Sequence, residues 1–172
     1  LVHHAYDDLA SARHVARHGL RYEPELLARA DLVVTTSPAL LAAYRDHPGA
    51  RWVPNGVDFE RFAHDPGWPD LLADWPRPRI GYVGLLSHFL DFELLESLRR
   101  HRRGGTVVLI GPPSPATDAQ VADFASREGV AVLGPRPYAE VPAYMQGLDV
   151  GVIPFRAADP FVQGINPNKV YQ

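Results

Sequence analysis

One uninterrupted apolar run indicates how this chain folds: Thr106-Val107-Val108-Leu109-Ile110, followed by Gly111-Pro112-Pro113. A short strand without a polar face is typical of a parallel sheet that is covered by helices on both sides. The glycine and the two prolines end the strand abruptly. We therefore expect an α/β fold, in which ligands bind beyond the carboxyl ends of the strands.

The same alternation of strand and helix continues on either side of this run. Ser37-Pro38 predicts the start of a helix, because serine is a good N-cap and proline suits the first helical position. A second helix is predicted from Asp91. A third begins with the capping-box pattern of Thr117 and Gln120, and a fourth lies near residues 139–146. The predicted strands span residues 31–36, 51–54, 79–84, 106–110, 130–133 and 148–153.

A stretch rich in proline and tryptophan interrupts this alternation at residues 57–78. Its characteristic residues are Pro66, Trp68, Pro69, Trp75, Pro76 and Pro78. Such a composition is typical of a connection between domains. We therefore expect residues 1–56 to belong to one sheet and residues 79–172 to form a second, separate parallel sheet.

Composition narrows the class of protein. The chain has 172 residues with 46% hydrophobic content, enough to bury a core, and a net charge of −3, which gives no footprint of nucleic-acid binding. No apolar run approaches the roughly 18 residues of a membrane-spanning helix. The absence of cysteine excludes disulfides and thiol nucleophiles and fits a reducing compartment. Because the chain begins without Met and ends inside a helix-like pattern, we expect an internal piece of a longer protein.

The histidines and glycines predict neither a metal site nor a common nucleotide motif. His3 and His4 are adjacent and therefore point to opposite sides of a strand. His14 and His18 lack the HExxH pattern, and no GxSxG sequence is present. Gly81-Tyr82-Val83-Gly84 lacks GxGxxG spacing and a Walker lysine, so neither a dinucleotide-binding fold nor a P-loop is predicted.

Lys169 is the only lysine in the chain, beside sixteen arginines. A lysine ammonium is a compact point charge suited to a phosphate oxygen, whereas arginine makes planar, forked contacts. Pro167 favours the start of a helix, where N–H groups attract anions. Two interpretations stay open from position alone: a lysine that binds a phosphate group, and a lone surface lysine.

The order and spacing of several segments resemble those of GT-B glycosyltransferases, in particular the family-4 (group 1) type of retaining enzymes. Residues 30–37 together with Pro54-Asn55-Gly56-Val57-Asp58 resemble the final βαβ unit of the N-terminal domain and its exit. Ile80-Gly81-Tyr82-Val83-Gly84 resembles the first strand and loop of the C-terminal domain. Residues 133–144 and 148–155 resemble the half of that domain that faces the nucleotide.

The closing run Asn166-Pro167-Asn168-Lys169-Val170-Tyr171-Gln172 resembles the P-x-K-x-Y donor motif of the branch that builds surface polysaccharides. The resemblance implies two Rossmann-like parallel sheets: residues 1–56 as the end of the acceptor domain, residues 57–78 as the linker, and residues 79–172 as most of the donor domain. The isolated piece is expected to be inactive.

The resemblance also implies the reaction. A sugar passes from a nucleotide-diphosphate sugar to a hydroxyl of a saccharide or lipid-linked acceptor, with retention. No metal or other cofactor is implied, because protein dipoles and cations hold the leaving diphosphate. A cytoplasmic location and no nucleic-acid partner are expected, and peripheral association with the inner face of the membrane stays open.

Individual donor-site residues follow from the resemblance. Lys169 is the implied catalytic residue, which neutralises the diphosphate near Gly84. Gln172 is expected to face the ribose, and the turn Gly134-Pro135-Arg136-Pro137 is expected to lie beside the base. The implied donor-binding set is Gly84, Gly111, Arg136, Pro137, Phe155, Asn166, Asn168 and Gln172, and it includes no metal ligand.

The chain departs from the family pattern in three places. The usual Arg and Lys after the first glycine of the C-terminal domain are absent from Leu85-Leu86-Ser87-His88-Phe89. The two acidic residues of the E-x7-E motif correspond to Gly164 and Gln172. Two alternatives therefore stay open: a non-catalytic module that binds sugar nucleotides, and a sugar-nucleotide 2-epimerase of the same architecture, although none of its acid/base carboxylates is seen.

Overall fold

A computed structural model of the chain describes residues 1–9, 16–63 and 70–172, and the chain forms two compact units. The first unit consists of Leu1–Val57 and Ala157–Tyr171; the second consists of Asp58–Arg156 and Gln172. The strands are β1 Val2–Ala5, β2 Leu32–Thr35, β3 Ala50–Trp52, β4 Arg79–Val83, β5 Thr106–Ile110, β6 Val130–Val132 and β7 Val150–Gly151. The helices are α1 Ala16–Arg29, α2 Pro38–Ala43, α3 Phe59–Ala63, α4 Phe92–His101, α5 Asp118–Ala125, α6 Val141–Gln146 and α7 Pro160–Gly164.

The first unit contains a three-stranded parallel sheet in the order β1-β2-β3. Ser37 begins α2 as predicted, because its Oγ accepts the Leu40 N–H at 3.1 Å and Pro38 occupies the first turn. Leu40 is fully buried beneath this cap. The carboxyl ends of the strands therefore lead into Tyr6, into Thr36-Ser37 and into the loop after Trp52.

The second unit contains a separate four-stranded parallel sheet in the order β6-β5-β4-β7. Val107 and Leu109 pack into the core on one face of β5, whereas Val108 and Ile110 pack into the core on the other. Burial of one such side chain typically stabilises a fold by about 1.5–3 kcal/mol. The prediction that residues 106–110 form a strand covered on both faces is confirmed, as is the prediction of two separate sheets.

Helix α4 follows the prediction in detail. The Asp91 carboxylate caps it by accepting the N–H groups of Glu93 and Leu94, both at 3.0 Å. Phe92 and Leu95 point into the core. The Asp91 cap and the apolar face formed by Phe92 and Leu95 agree with each other, so α4 is specified both by its local sequence and by packing.

A buried arginine anchors the amino end of the second sheet. Arg79, only 3% exposed, donates from Nη1 to both carboxylate oxygens of Asp70 at 2.8 Å, and its Nε donates to the Trp75 carbonyl at 2.9 Å. Its backbone N–H donates to Asp149 at 2.7 Å. These contacts give a buried guanidinium the partners that burial of a charge requires.

The predicted linker at residues 57–78 is partly a core element. Leu72 is fully buried and packs with Val108 and Ile110, and Trp75 lies against the same cluster. Leu72 and Trp75 therefore belong to the packed part of the second unit rather than to a free connection. Pro66, Trp68 and Pro69 lie outside the described residues.

Three other predictions differ from the structure. The strand predicted for residues 148–153 is reduced to Val150–Gly151, whose residues are exposed, because Pro154 and Phe155 pair with the loop before α4 instead. The Thr117 hydroxyl does not cap α5, and it donates to the Leu86 carbonyl. Residues 157–171 are compact with the first unit and not with the predicted donor domain.

The histidine residues stay apart from any metal-like grouping in the part of the chain that is described. His3 is half-buried 3.6 Å from Glu23, whereas His4 and His18 are exposed. Across residues 1–9, 16–63 and 70–172, no group of three or more His, Asp or Glu side chains is arranged to hold a metal ion. His14 lies outside these ranges.

Candidate functional site

The carboxyl edge of the second sheet brings three loop glycines together. The Gly84 N–H donates to the Ile110 carbonyl at 2.8 Å, and the Gly111 N–H donates to the Gly134 carbonyl at 2.9 Å. The predicted donor residues Gly84 and Gly111 therefore lie side by side at the ends of β4 and β5. This is the edge of a parallel sheet at which ligands bind.

Gly111 allows the closest approach at this edge. Its φ is +139°, and a Cβ built on it lies 2.0 Å from the Gly84 carbonyl oxygen, so no other residue fits there without a shift. Gly134 differs, because its φ is +67° but a Cβ would meet nothing within 4 Å. The amides of Gly84 and Gly111 bond within the sheet, so neither is a free N–H donor, and the role of Gly111 is to let the ends of β4 and β5 approach closely.

The loop after Gly84 is held by the neighbouring loop. The Leu86 N–H donates to the Pro112 carbonyl at 2.9 Å, and the Ser114 N–H donates back to Leu86 at 3.1 Å. Below it, the Tyr82 hydroxyl donates to the Leu85 carbonyl at 3.2 Å, and burial raises the pKa of Tyr82 to about 12. The loop is thus rigidly connected but carries no arginine or lysine.

The remaining predicted residues of the second unit have different environments. Phe155 packs its ring edge-on against Tyr82, with 5.9 Å between ring centroids, so its side chain belongs to the core. The guanidinium of Arg136 lies 5.5 Å from the ring centre of Tyr144. Arg136 and Pro137 are exposed, in the turn that follows Gly134. Gln172 is half-buried.

The other predicted residues lie at the carboxyl edge of the first sheet, in the segment Ile165–Tyr171, which we call the lysine loop. Asn166 donates from Nδ2 to the Thr36 carbonyl at 2.8 Å, and Asn168 donates to the Tyr6 hydroxyl at 3.2 Å. Pro167 begins a single 3-10 turn, Asn168–Val170, rather than an α-helix. Asn166 and Asn168 therefore have structural roles within the first unit.

Lys169 is half-buried in this turn. Burial lowers the pKa of its ammonium, because removal from water disfavours the charged form. A partly desolvated ammonium interacts more strongly with an anion than one in bulk water. The interpretation as a fully solvated surface lysine is therefore not supported, and the binding of a diphosphate stays a prediction.

A groove of about 460 Å³ lies between α4 and α5, away from the loop glycines. Glu96 in this groove accepts hydrogen bonds from Arg99, Arg100 and Arg127 at 2.7–2.8 Å, and these bonds hold the pKa of its carboxyl far below the usual value. The charges satisfy one another, so the groove presents a structural ion cluster rather than a site for the donor.

In the described part of the chain, no helix is both long and apolar enough to cross a membrane.

Comparison with known proteins places this geometry in a class. No known protein-family profile matches the chain. TuaH of Bacillus subtilis (strain 168), whose name assigns it to teichuronic acid biosynthesis as a glycosyltransferase, is 26% identical over 159 residues. This alignment covers 87% of the chain and 39% of TuaH, so the chain spans about two fifths of the length of this curated relative.

Solved structures show the fold. Anabaena Alr3699/HepE in complex with UDP and glucose superposes with a TM-score of 0.70 at 23% identity, covering 93% of this chain and 47% of HepE. Sucrose-phosphate synthase from Thermosynechococcus elongatus superposes with a TM-score of 0.67 at 20% identity, covering 91% of this chain and 46% of the synthase. WaaG, a glycosyltransferase involved in lipopolysaccharide biosynthesis, superposes with a TM-score of 0.55 at 18% identity, covering 90% of this chain and 50% of WaaG.

The chain therefore has the α/β fold of a GT-B glycosyltransferase, of which it represents a part. Its sequence is similar to a glycosyltransferase named for teichuronic acid biosynthesis, and the resemblance expected from the sequence is confirmed. The contacts of Asn55 and Thr36 with the lysine loop were not predicted, because 111 and 130 positions separate the partners and no local pattern marks them.

Proposed function

We propose that the protein is a glycosyltransferase that moves a sugar from a nucleotide-diphosphate sugar to a hydroxyl acceptor, with retention and without a metal ion. The observation that carries this proposal is the pair Gly84 and Gly111, which follow two adjacent parallel strands and lie side by side at the carboxyl edge of the second sheet, where ligands bind in such folds. Similarity to TuaH and to the fold of HepE supports it. The donor nucleotide takes this edge, with its base beside the turn after Gly134.

The chemistry requires a group that stabilises the leaving diphosphate. As the bond between the sugar and the diphosphate breaks, negative charge accumulates on the phosphate oxygens, and a cation held in place lowers the energy of that state. The loop Leu85–Phe89 supplies no basic side chain other than His88. We therefore keep Lys169 as the cation of this step, and Gln172 as the ribose contact.

The finer assignments extend the proposal. HepE has been crystallised with UDP and with UDP-glucose, so UDP is the first nucleotide to test. The acceptor is a saccharide or a lipid-linked acceptor, and the name of TuaH, which refers to teichuronic acid biosynthesis, supports a saccharide. The reaction takes place in the cytoplasm, at the inner face of the membrane if the acceptor is lipid-linked.

One alternative retains support. A non-catalytic module that binds sugar nucleotides would use the same glycine edge and would tolerate the absence of an Arg and Lys pair from residues 85–89. No feature of the described residues favours the 2-epimerase, which we do not retain. Turnover of a radiolabelled UDP-sugar by the full-length protein separates the transferase from the binding module.

The test of the proposed site is calorimetry on the full-length protein with UDP and GDP. Lys169→Ala should weaken binding of the preferred nucleotide by about 1.5–3 kcal/mol, the range for hydrogen bonds to charged groups. Arg45→Ala removes a charge of the same sign from a side chain that is 82% exposed, and should leave the affinity unchanged. Equal affinities for wild type and Lys169→Ala would remove Lys169 from the site.

A further inference from the structure

We propose that Asn55 is a positioning residue for Lys169, through the lysine loop. This inference rests on the proposed function, because it concerns the lysine assigned to the donor diphosphate. Asn55 follows β3 in the run Pro54-Asn55-Gly56, and it has no place in the donor set that the family resemblance implies. Its role emerges only from contacts within the first unit.

Asn55 and Asn166 join two distant parts of the chain. The Asn55 side chain donates from Nδ2 to the Asn166 carbonyl at 2.7 Å, across 111 positions, in a partly buried setting. Asn166 in turn donates from its own Nδ2 to the Thr36 carbonyl at 2.8 Å. Asn166, near the start of the lysine loop, is therefore fixed through its backbone to the exit of β3 and through its side chain to the end of β2.

A second set of contacts closes the loop around Lys169. The Tyr171 hydroxyl lies 3.0 Å from Nδ2 and 3.1 Å from Oδ1 of Asn166. Residues 167–170 are thus bridged by the Asn166 side chain and the Tyr171 hydroxyl. Asn168 adds a contact at 3.2 Å to Tyr6, which follows β1. All three strand exits of the first sheet therefore contribute to the position of this loop.

These contacts matter because the lysine loop has too little regular structure to fix its own conformation. Its only regular structure is the 3-10 turn Asn168–Val170, and such short turns have poor internal hydrogen bonds. Lys169 is half-buried, so a shift of the backbone beneath it changes both the solvation and the distance of its charge. Asparagine suits position 55 because its amide N–H₂ reaches a carbonyl, whereas an isosteric carboxylate would repel that carbonyl.

Binding of UDP to the full-length protein, measured by calorimetry, tests the inference. Asn55→Asp should weaken UDP binding about threefold to tenfold, the effect of losing one or two modest hydrogen bonds. Gln163→Glu makes the same chemical change at an exposed side chain that donates to the nearby Ala157 carbonyl, and should change the affinity less than about twofold. Tyr171→Phe removes the hydrogen bonds between the Tyr171 hydroxyl and the Asn166 side chain, and should weaken UDP binding as Asn55→Asp does.

A double-mutant cycle separates positioning from a general loss of structure. In the Lys169→Ala background, Asn55→Asp should no longer weaken UDP binding, because the charge that Asn55 positions is gone. An equal loss in both backgrounds, or no loss when Asn55→Asp is made alone, would overturn the inference. If Lys169→Ala itself leaves UDP affinity unchanged, the proposed function of the lysine fails first, and that outcome is distinct from these two. Melting temperatures of all variants establish that each is folded, and if Asn55→Asp is not, Tyr171→Phe carries the cycle.

Discussion

The Gly84 carbonyl oxygen occupies the position where a side chain at Gly111 would begin, 2.0 Å from the ideal Cβ. Gly84 ends β4 and Gly111 ends β5, and each has a positive φ, of 147° and 139°. Adjacent strands can end this close together only because one of the two residues has no side chain. The close approach at the carboxyl edge of the second sheet is therefore a contact between backbones, and not a contact with a flexible side chain that could move aside.

Gly111→Ala should strongly destabilise the second unit. The substitution combines a positive φ with an overlap against backbone, and strain of the first kind alone costs about 1–3 kcal/mol. Gly56→Ala is the matched control, because a Cβ there meets nothing within 4 Å and no unfavourable φ is involved. Urea denaturation measures both. Equal stabilities for the two variants would show that the loops separate without cost.

Gln172 gives a prediction about the ribose. Gln172→Leu should weaken UDP binding, because a ribose hydroxyl loses its hydrogen-bond partner, at a cost of about 1–3 kcal/mol if buried. Gln172→Glu should strengthen binding or leave it unchanged, since a carboxylate accepts stronger hydrogen bonds from hydroxyls. The dissociation constants of both variants in the full-length protein decide the matter. The same value for wild type and Gln172→Leu would mean that the side chain does not reach the ribose.

The pH dependence of UDP binding should report Lys169. Because burial lowers the pKa of its ammonium below the ordinary 10.5, the positive charge is lost at a lower pH than for an exposed lysine. UDP affinity should therefore decline on the alkaline side, beginning at a lower pH than an exposed lysine would give. Lys169→Arg stays charged and should keep a flat profile over the same range. Parallel pH profiles for wild type and Lys169→Arg would show that the decline in UDP affinity does not come from Lys169.

Asp149 should contribute to stability against acid. Its carboxylate accepts the Arg79 N–H and pairs with Arg77, and these contacts hold its pKa below the ordinary 3.8. A carboxyl with a depressed pKa contributes stability above its unfolded value and loses that contribution as the pH falls through its folded value. Asp149→Asn should therefore be less stable than wild type at pH 7 and should lose less on acidification below about pH 4.

Thermal melts across this pH range measure the effect. Asp46→Asn provides the control, because the Asp46 side chain is 99% exposed. This variant should melt as wild type does at every pH. An Asp149→Asn curve with the acid slope of wild type would show that the interaction with the Arg79 backbone contributes nothing to stability.

The elements that could be predicted from sequence are those specified by neighbouring residues. The run Thr106–Ile110 forms β5 because its alternating side chains fill a core on each face. Asp91 and Ser37 begin their helices because a cap acts over three positions. Local chemistry was sufficient in each of these cases, and it also placed Gly84 and Gly111 at one edge.

The predictions that differed depended on partners far along the chain. Residues 152–155 have the composition of a strand, but Phe155 pairs with Leu90 and packs against Tyr82. Thr117 has the position of a cap, yet the Leu86 carbonyl takes its hydroxyl. The apolar residues of the predicted linker, such as Leu72, become core only once β5 lies beside them. A single sequence carries no local mark of such pairings.

The contact between the Ser37 Oγ and the Gly164 carbonyl, 2.6 Å long, spans 127 positions. Since Ala157–Tyr171 belongs with Leu1–Val57, residues Asp58–Arg156 of the second unit are synthesised between the two parts of the first. On the ribosome, the segment Ala157–Tyr171 that completes the first unit emerges only after the four-stranded sheet is made, and closing so long a loop is slow. We therefore expect the first-made unit to be the last to reach its final structure, and to be the one that needs protection from aggregation during translation.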